Sequence, residues 1–218
     1  MFATELQPRA RREAFSWSAP PGRAALYEAS IEQLRASFTY DAMLGESVRA
    51  PKVTLANHGG RLIWLVEVLQ SDPAVVTFYR RGCCPNCKRQ LRALRVRPPN
   101  LLLFGARLLA ISPQRLDGSL SAGWCNAIGF DVLSDIGNAV ARSVAIVRTL
   151  SELLHDALRP SNKALSDIKS DEGWELPLPA TYVVAGGRRI AMALVGIGYR
   201  HRLTSEYLTN SLRGVRSK

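Results

Sequence analysis

No run of apolar residues in this sequence approaches the roughly 18 that a membrane-crossing helix requires. The longest candidates are LLLFGARLLAIS, interrupted by Arg107, and IAMALVGIGY, which is short and contains glycine. The N-terminus, MFATELQPRARREAF, carries charge but no apolar core and no small-residue cleavage site, so no secretory signal is expected. The expectation is a soluble, cytoplasmic protein with no membrane partner. Cysteine is scarce: there are four, and Cys83, Cys84 and Cys87 lie within five residues. That is too few and too clustered for a secreted disulfide scaffold. Also missing are a glycine-rich phosphate loop, zinc-finger spacing and an RNP-like aromatic motif. The net charge is +11, yet the arginines are spread from Arg9 to Arg216 with no dense block. They read as a solvated basic surface rather than a nucleic-acid site.

What is present suits one large domain with an attached arm: 218 residues, 47% apolar and 22% charged. Residues 1–21, ending in Pro20-Pro21, read as an arm. Tyr27, Ile31, Leu34 and Phe38 recur at four, three and four, predicting a helix within 22–47. Two short strands, 53–55 and 61–65, follow around Gly59-Gly60. AVVTFYR (74–80) is a continuous apolar, β-branched run, the pattern of a strand buried on both faces. A helix carrying Cys87, Leu91 and Leu94 comes next, broken at Pro98-Pro99, and then the strand ARLLAIS (106–112). Strand, helix and strand predict a parallel pair with a right-handed crossover. Leu120, Trp124 and Ile128 mark a short helix, residues 138–147 another, and 159–179 a long loop. TYVVA (181–185) and RIAMALV (189–195) read as a hairpin across Gly186-Gly187, and 203–212 as a last helix. The fold class is α/β, a mixed central sheet flanked by helices with an extra N-terminal helix.

The reactive groups concentrate in FYRRGCCPNCKRQLRAL (78–94). Pro85 suits the first position of a helix, which puts Cys84 and Cys87 at that helix's N-terminal end. Unpaired N–H groups and the positive end of the helix dipole face sulfur there, and Arg80, Arg81, Lys88 and Arg89 add positive potential. Both influences favour thiolate over thiol, and the thiolate is the nucleophile. Two sulfurs three residues apart can also condense into a disulfide, which stops over-oxidation. A zinc site is disfavoured because Cys125, His58, His155 and His201 supply no second ligand pair. No metal or cofactor is expected. Cys83 and Cys125 read as core sulfur.

The segment FYRRGCCPNCKRQLRAL resembles the active-site segment of peroxiredoxin-like proteins of the alkyl hydroperoxide reductase/thiol-specific antioxidant family, within the thioredoxin-like superfamily. AISPQRLDGSLS (110–121), GFDVLSDIGNAVAR (129–142) and WELPLPATYVV (174–184) resemble the same family in the same order. The resemblance implies a thioredoxin-like domain over 48–218. It implies a peroxide substrate, a thioredoxin-like or other dithiol reductant, and pairing of two copies. It makes Pro179 and Thr181 the active-site loop, with Pro179 matched to a cis-proline. Aligned by the peroxiredoxin pattern, Cys87 is the peroxide-attacking residue and Cys84 resolves. The thioredoxin pattern nominates Cys84 instead, and the first order is the expectation taken here. Three departures stand out: Cys84 fills the family's hydroxyl position, Arg80 its proline position, and LPLPAT lacks the arginine that polarises the peroxide. Arg142 and the arginines near the cysteines are the candidates to replace that last group. The predicted activity is a thiol-dependent peroxidase. A thiol–disulfide oxidoreductase using the same pair, and a non-catalytic basic binding module, are the alternatives.

Overall fold

In the computed structural model of the chain the described residues are 22–39, 42–80, 85–96, 103–115, 129–152, 154, 174–197, 203 and 205–216. The expected arm 1–21, Pro98-Pro99, the short helix around Trp124, His155, His201 and residues 159–173 of the expected loop lie outside them. The chain runs α1 (Arg23–Ser37), β1 (Thr54–Ala56), β2 (Leu62–Trp64), α2 (Leu65–Ser71), β3 (Ala74–Phe78), α3 (Pro85–Val96) and β4 (Arg107–Ser112). It continues through β5 (Asp131–Ser134), α4 (Ala139–Ser143), β6 (Val147–Thr149), β7 (Glu175–Pro177), β8 (Ala180–Val184), β9 (Ile190–Val195) and α5 (Ser205–Arg216).

Every residue of β3 is buried. Its AVVTF sequence has no polar side chain to turn toward water except Thr77, so the strand can sit only in the middle of a covered sheet. The central sheet has the order β5-β4-β3-β8-β9. β3, β4 and β5 are parallel, while β8 runs antiparallel to β3 and to β9. The strand–helix–strand reading and the closing hairpin therefore hold. Gly105, at φ 65°, makes the turn into β4; a Cβ there would come within 2.7 Å of Asp72 Oδ1.

Alternate residues of the sheet feed two cores. Val76, Phe78, Leu109, Ile111, Tyr182 and Val184 pack with Ile63, Leu65, Val68 and Ala141 on one face. On the other face Val75, Leu108, Val183 and Met192 meet Leu208 and Leu212 of α5, and Tyr79, Ala110 and Val132 meet Cys87 and Leu91 of α3. Each fully buried Val, Leu or Phe contributes about 1.5–3 kcal/mol, so a doubly covered sheet is the dominant stabilising feature. The predicted face of α1 is also used: Ile31 is buried, Leu34 and Phe38 pack on the first core, and Tyr27 packs against Leu150, Leu154 and Leu176.

Three elements differ from the sequence reading. Residues 65–71 form a helix with Leu65, Val68 and Leu69 buried, a three-and-four spacing hidden beside the strand-like LIW. The helix expected over 138–147 stops at Ser143. Ala145 takes the left-handed conformation (φ 56°), its N–H bonds to Arg142 O at 2.9 Å, and Ile146 N–H bonds to Ala141 O at 3.1 Å. That paired pattern is a Schellman stop, and it frees 147–149 to form β6. The end of the expected loop is instead β7, paired with β6.

Tyr182 is packed edge-on to Phe78, with centroids 6.1 Å apart at 87°. Its hydroxyl is buried with no hydrogen-bond partner among the described residues, and burial pushes the phenol well above its usual range. A polar atom buried without a partner costs roughly 1–3 kcal/mol. Tyr182→Phe keeps the ring contact and removes that atom. Chemical denaturation should show the variant at least as stable as the wild type, by up to about 1 kcal/mol.

Candidate functional site

Three parallel strands, β3, β4 and β5, end on the same side of the sheet, the edge at which open α/β sheets place ligands. Their ends are tied together by buried polar groups. Ser112 Oγ donates to Arg80 O at 3.4 Å and accepts from Gln114 N–H at 3.2 Å. Ser134 Oγ donates to Gln114 O at 2.6 Å, and Asp135 N–H to Ser112 O at 2.8 Å. The Asp135 carboxylate then accepts from Val140 and Ala141 N–H at 3.0 and 2.9 Å, holding the start of α4. Asp135 is 1% exposed, so this end of the sheet is rigid and its charge is spent on backbone donors.

From β3 the chain passes through residues 81–84 into α3. The helix begins at Pro85, as its sequence predicts, and Cys87 is its third residue. Cys87 carries a thiol that is 0% exposed, packed among Tyr79, Leu91, Ala110 and Val132. The spacing of Cys87, Leu91 and Leu94 places all three on the stripe of α3 that faces the sheet. Cys84, Cys83, Arg81 and Cys125 lie outside the described residues.

Under α3 the sheet carries two hydroxyls that meet across strands. Thr77 and Thr181 are cross-strand partners, their Oγ1 atoms 3.0 Å apart and both buried. Thr77 Oγ1 also donates toward Ala180 O at 3.3 Å and accepts from Gln90 Nε2 at 3.4 Å. Gln90 stands one turn beyond Cys87, so the hydroxyl pair fastens the first turns of α3 to the sheet. Thr181, the first residue of the expected strand 181–185 and one that the resemblance assigned to the active-site loop, is the second residue of β8. Pro179 lies between β7 and β8, buried, and its carbonyl accepts from Gly196 N–H at 2.8 Å. The expected cis bond is absent: among the described residues every peptide is trans, Leu178–Pro179 included.

The arginines separate clearly. Arg142 is exposed and engaged by Glu175 through both guanidinium ends, 2.9 Å at Nη1, with a further bond from Nη2 to Gly137 O. It bridges α4 and β7. Arg80 is only 8% exposed, and its Nε and Nη2 have no partner among the described residues. Arg148, in β6, is 7% exposed with Nε likewise unpartnered. Burial first, and the nearby charge of Arg80 second, lower the Arg148 pKa to about 9; Tyr27 opposes this. Sequence reasoning missed Arg148, because a lone arginine inside VRT carries no signal of burial. Among the described residues no group of three or more His, Cys, Asp or Glu side chains could hold a metal, and no helix is long and apolar enough to cross a membrane.

Thr77→Val would strand Gln90 and Thr181 without the shared oxygen. The expected cost is about 1–3 kcal/mol in denaturant unfolding. Amide exchange should quicken over residues 87–91 more than in α5, which shares no bond with Thr77.

Comparison with known proteins adds a family and a fold. Residues 47–192 match the AhpC/TSA family. No curated protein matches the chain. Peroxidoxin BcpB from Mycobacterium tuberculosis is similar in structure, with a TM-score of 0.60 at 17% identity over 79% of this chain and 99% of that one. A mutant peroxiredoxin 6 of Arenicola marina gives 0.61 at 10% identity over 79% and 74%. Xanthomonas campestris peroxiredoxin Q gives 0.54 at 14% identity over 76% and 90%. At these identities the likeness speaks for the thioredoxin-like fold.

Proposed function

Because the chain belongs to the AhpC/TSA family, matched over more than half its length, and is an oxidoreductase of the peroxiredoxin type, we propose that it reduces peroxides through Cys84 and Cys87. The observation that carries this reading is the placement of Cys87 in the first turn of α3, at the carboxyl end of the parallel strands. Residues 48–218 are read as the catalytic domain, with the arm and the 22–47 helix as additions to it.

The chemistry is a two-electron exchange. A thiolate attacks the terminal oxygen of the peroxide, the O–O bond breaks, and the leaving alkoxide or hydroxide takes a proton to become an alcohol or water. The sulfenic acid left on sulfur condenses with the second thiol, releasing water and forming a disulfide. A thioredoxin-like or other dithiol then returns two electrons and two protons. Arg80, and Arg81 beyond it, are read as stabilising negative charge on sulfur. The same reading places the protein in the cytoplasm and pairs two copies, which sedimentation can test.

The complete burial of Cys87 bears on which sulfur leads. A thiol with no exposed surface suits the resolving role, since only a neighbouring sulfur reaches it without the helix start opening. This favours Cys84 as the first attacker, the reverse of the order taken from the peroxiredoxin pattern. Peroxide consumption with excess dithiol should vanish in Cys84→Ser. In Cys87→Ser the expected result is a single turnover, leaving a sulfenic acid on Cys84 that a dimedone-type trap captures. Turnover that survives in Cys84→Ser and dies in Cys87→Ser would restore the original order.

The second reading is a thiol–disulfide exchanger working on protein disulfides. It is favoured by the intact Cys-x-x-Cys of Cys84 and Cys87, by the burial of Cys87 and by the lack in LPLPAT of the peroxide-polarising arginine. Insulin reduction with no peroxide consumption would select it.

A further inference from the structure

Arg80 and Arg148 form a buried pair of like charges that lacks a counterion among the described residues. The strand register brings them together. β3 and β8 pair as far as Phe78 with Ala180, so the chain leaving β3 at Arg80 runs beside Pro179 and Leu178. Leu178 N–H bonds to Ile146 O at 2.7 Å, and one strand further Arg148 pairs with Leu176 in the β6–β7 ladder. The two guanidinium groups therefore flank the same stretch, Leu176–Leu178, and Arg148 feels the charge of Arg80 directly. The ion pairs formed by described residues go elsewhere: Arg35 to Glu32, Arg61 and Arg107 to Asp131, and Arg142 to Glu175. Asp135, a buried carboxylate, is occupied by the amides of Val140 and Ala141.

An isolated buried cation costs several kcal/mol, and a second one beside it adds repulsion. Such pairs persist where something negative sits between them. Guanidinium forks match the spacing of oxyanion oxygens, and a charge-assisted bond of this kind is about twice as strong as a neutral one. Three donor atoms are unmet here, Nε and Nη2 of Arg80 and Nε of Arg148. The two residues are 8% and 7% exposed but the three unmet donor atoms are themselves buried, so an oxyanion reaches them only as the groups covering them move aside.

We propose that Arg80 and Arg148 together bind one small oxyanion, a carboxylate or phosphate group, at the carboxyl end of β3. The site uses Arg80, read above as stabilising the thiolate, and its test reads anion binding and Tm rather than peroxide turnover. It would join the exit of β3 and the β6–β7 ladder. An occupied site fixes the point at which the chain departs toward the cysteines.

The test uses the full-length reduced protein and its Arg148→Met variant, in sodium phosphate and separately in sodium acetate, with sodium chloride at matched ionic strength as reference. Calorimetric titration of the wild type should give one oxyanion per chain. Its Tm should rise by about 5–10 °C at a hundredfold excess over the dissociation constant. The stronger of the two responses tells phosphate from carboxylate. Arg148→Met should lose affinity on the order of tenfold to hundredfold. In chloride alone its Tm should be no lower than that of the wild type, because an apolar side chain replaces an unpaired buried cation. Should Arg148→Met not fold, Arg80→Met serves the same comparison. The proposal is overturned if neither oxyanion stabilises the wild type beyond chloride, or if the variant responds as the wild type does.

Discussion

Burial of β3 on both faces and along both edges is the constraint on which the rest depends. Ala74, Val75, Val76, Thr77 and Phe78 are hidden from water. β4 covers one edge in parallel register and β8 the other in antiparallel register. A strand so enclosed can release its chain only at its carboxyl end, and that chain carries the cysteines. The residues of β3 also divide the interior. Val76 and Phe78 look toward the core shared with α2 and α4, while Val75 looks toward α5 and Thr77 toward Gln90 of α3. The position of Cys87 follows from the same geometry: a helix leaving the central strand must fold back over the sheet, and its inward stripe includes the third residue.

Polar groups at this end of the sheet divide into two kinds. Ser112, Gln114, Ser134 and Asp135 are satisfied by one another and by backbone, and they make the strand ends a fixed platform. Arg80 and Arg148 are buried with donor atoms that have no partner among the described residues. Stability and function pull apart at that spot, as is common where a protein keeps a charge for a ligand. Arg142, by contrast, has its charge met by Glu175 and braces α4 against β7.

Long or strongly patterned segments were legible in the sequence. AVVTF, the α3 stripe of Cys87, Leu91 and Leu94, and the hairpin joined at Gly186-Gly187 declare their elements through periodicity and turn chemistry. That α3 stripe already implied an inward Cys87, since its two companions are core leucines. Of the short elements, β1 and β2 were legible around the Gly59-Gly60 turn, and the others were not. β5, β6 and β7 have only three or four residues each and exist through tertiary pairing. α2 was obscured because LVEVLQS mixes β-branched residues with a helical spacing. The early stop of α4 depends on Ala145 in a left-handed conformation that sequence favours only for glycine or asparagine. The burial of Arg148 is invisible for a different reason: an arginine in a three-residue strand looks like surface until α1 and β7 are packed around it.

The most direct measurement of the central claim is mass mapping of the reduced protein after one equivalent of hydrogen peroxide, with thiols blocked at the end. The account calls for a disulfide between Cys84 and Cys87, formed as the peroxide disappears. Recovery of both residues as blocked thiols, with the peroxide still present, would contradict it and leave the family likeness as a statement about fold.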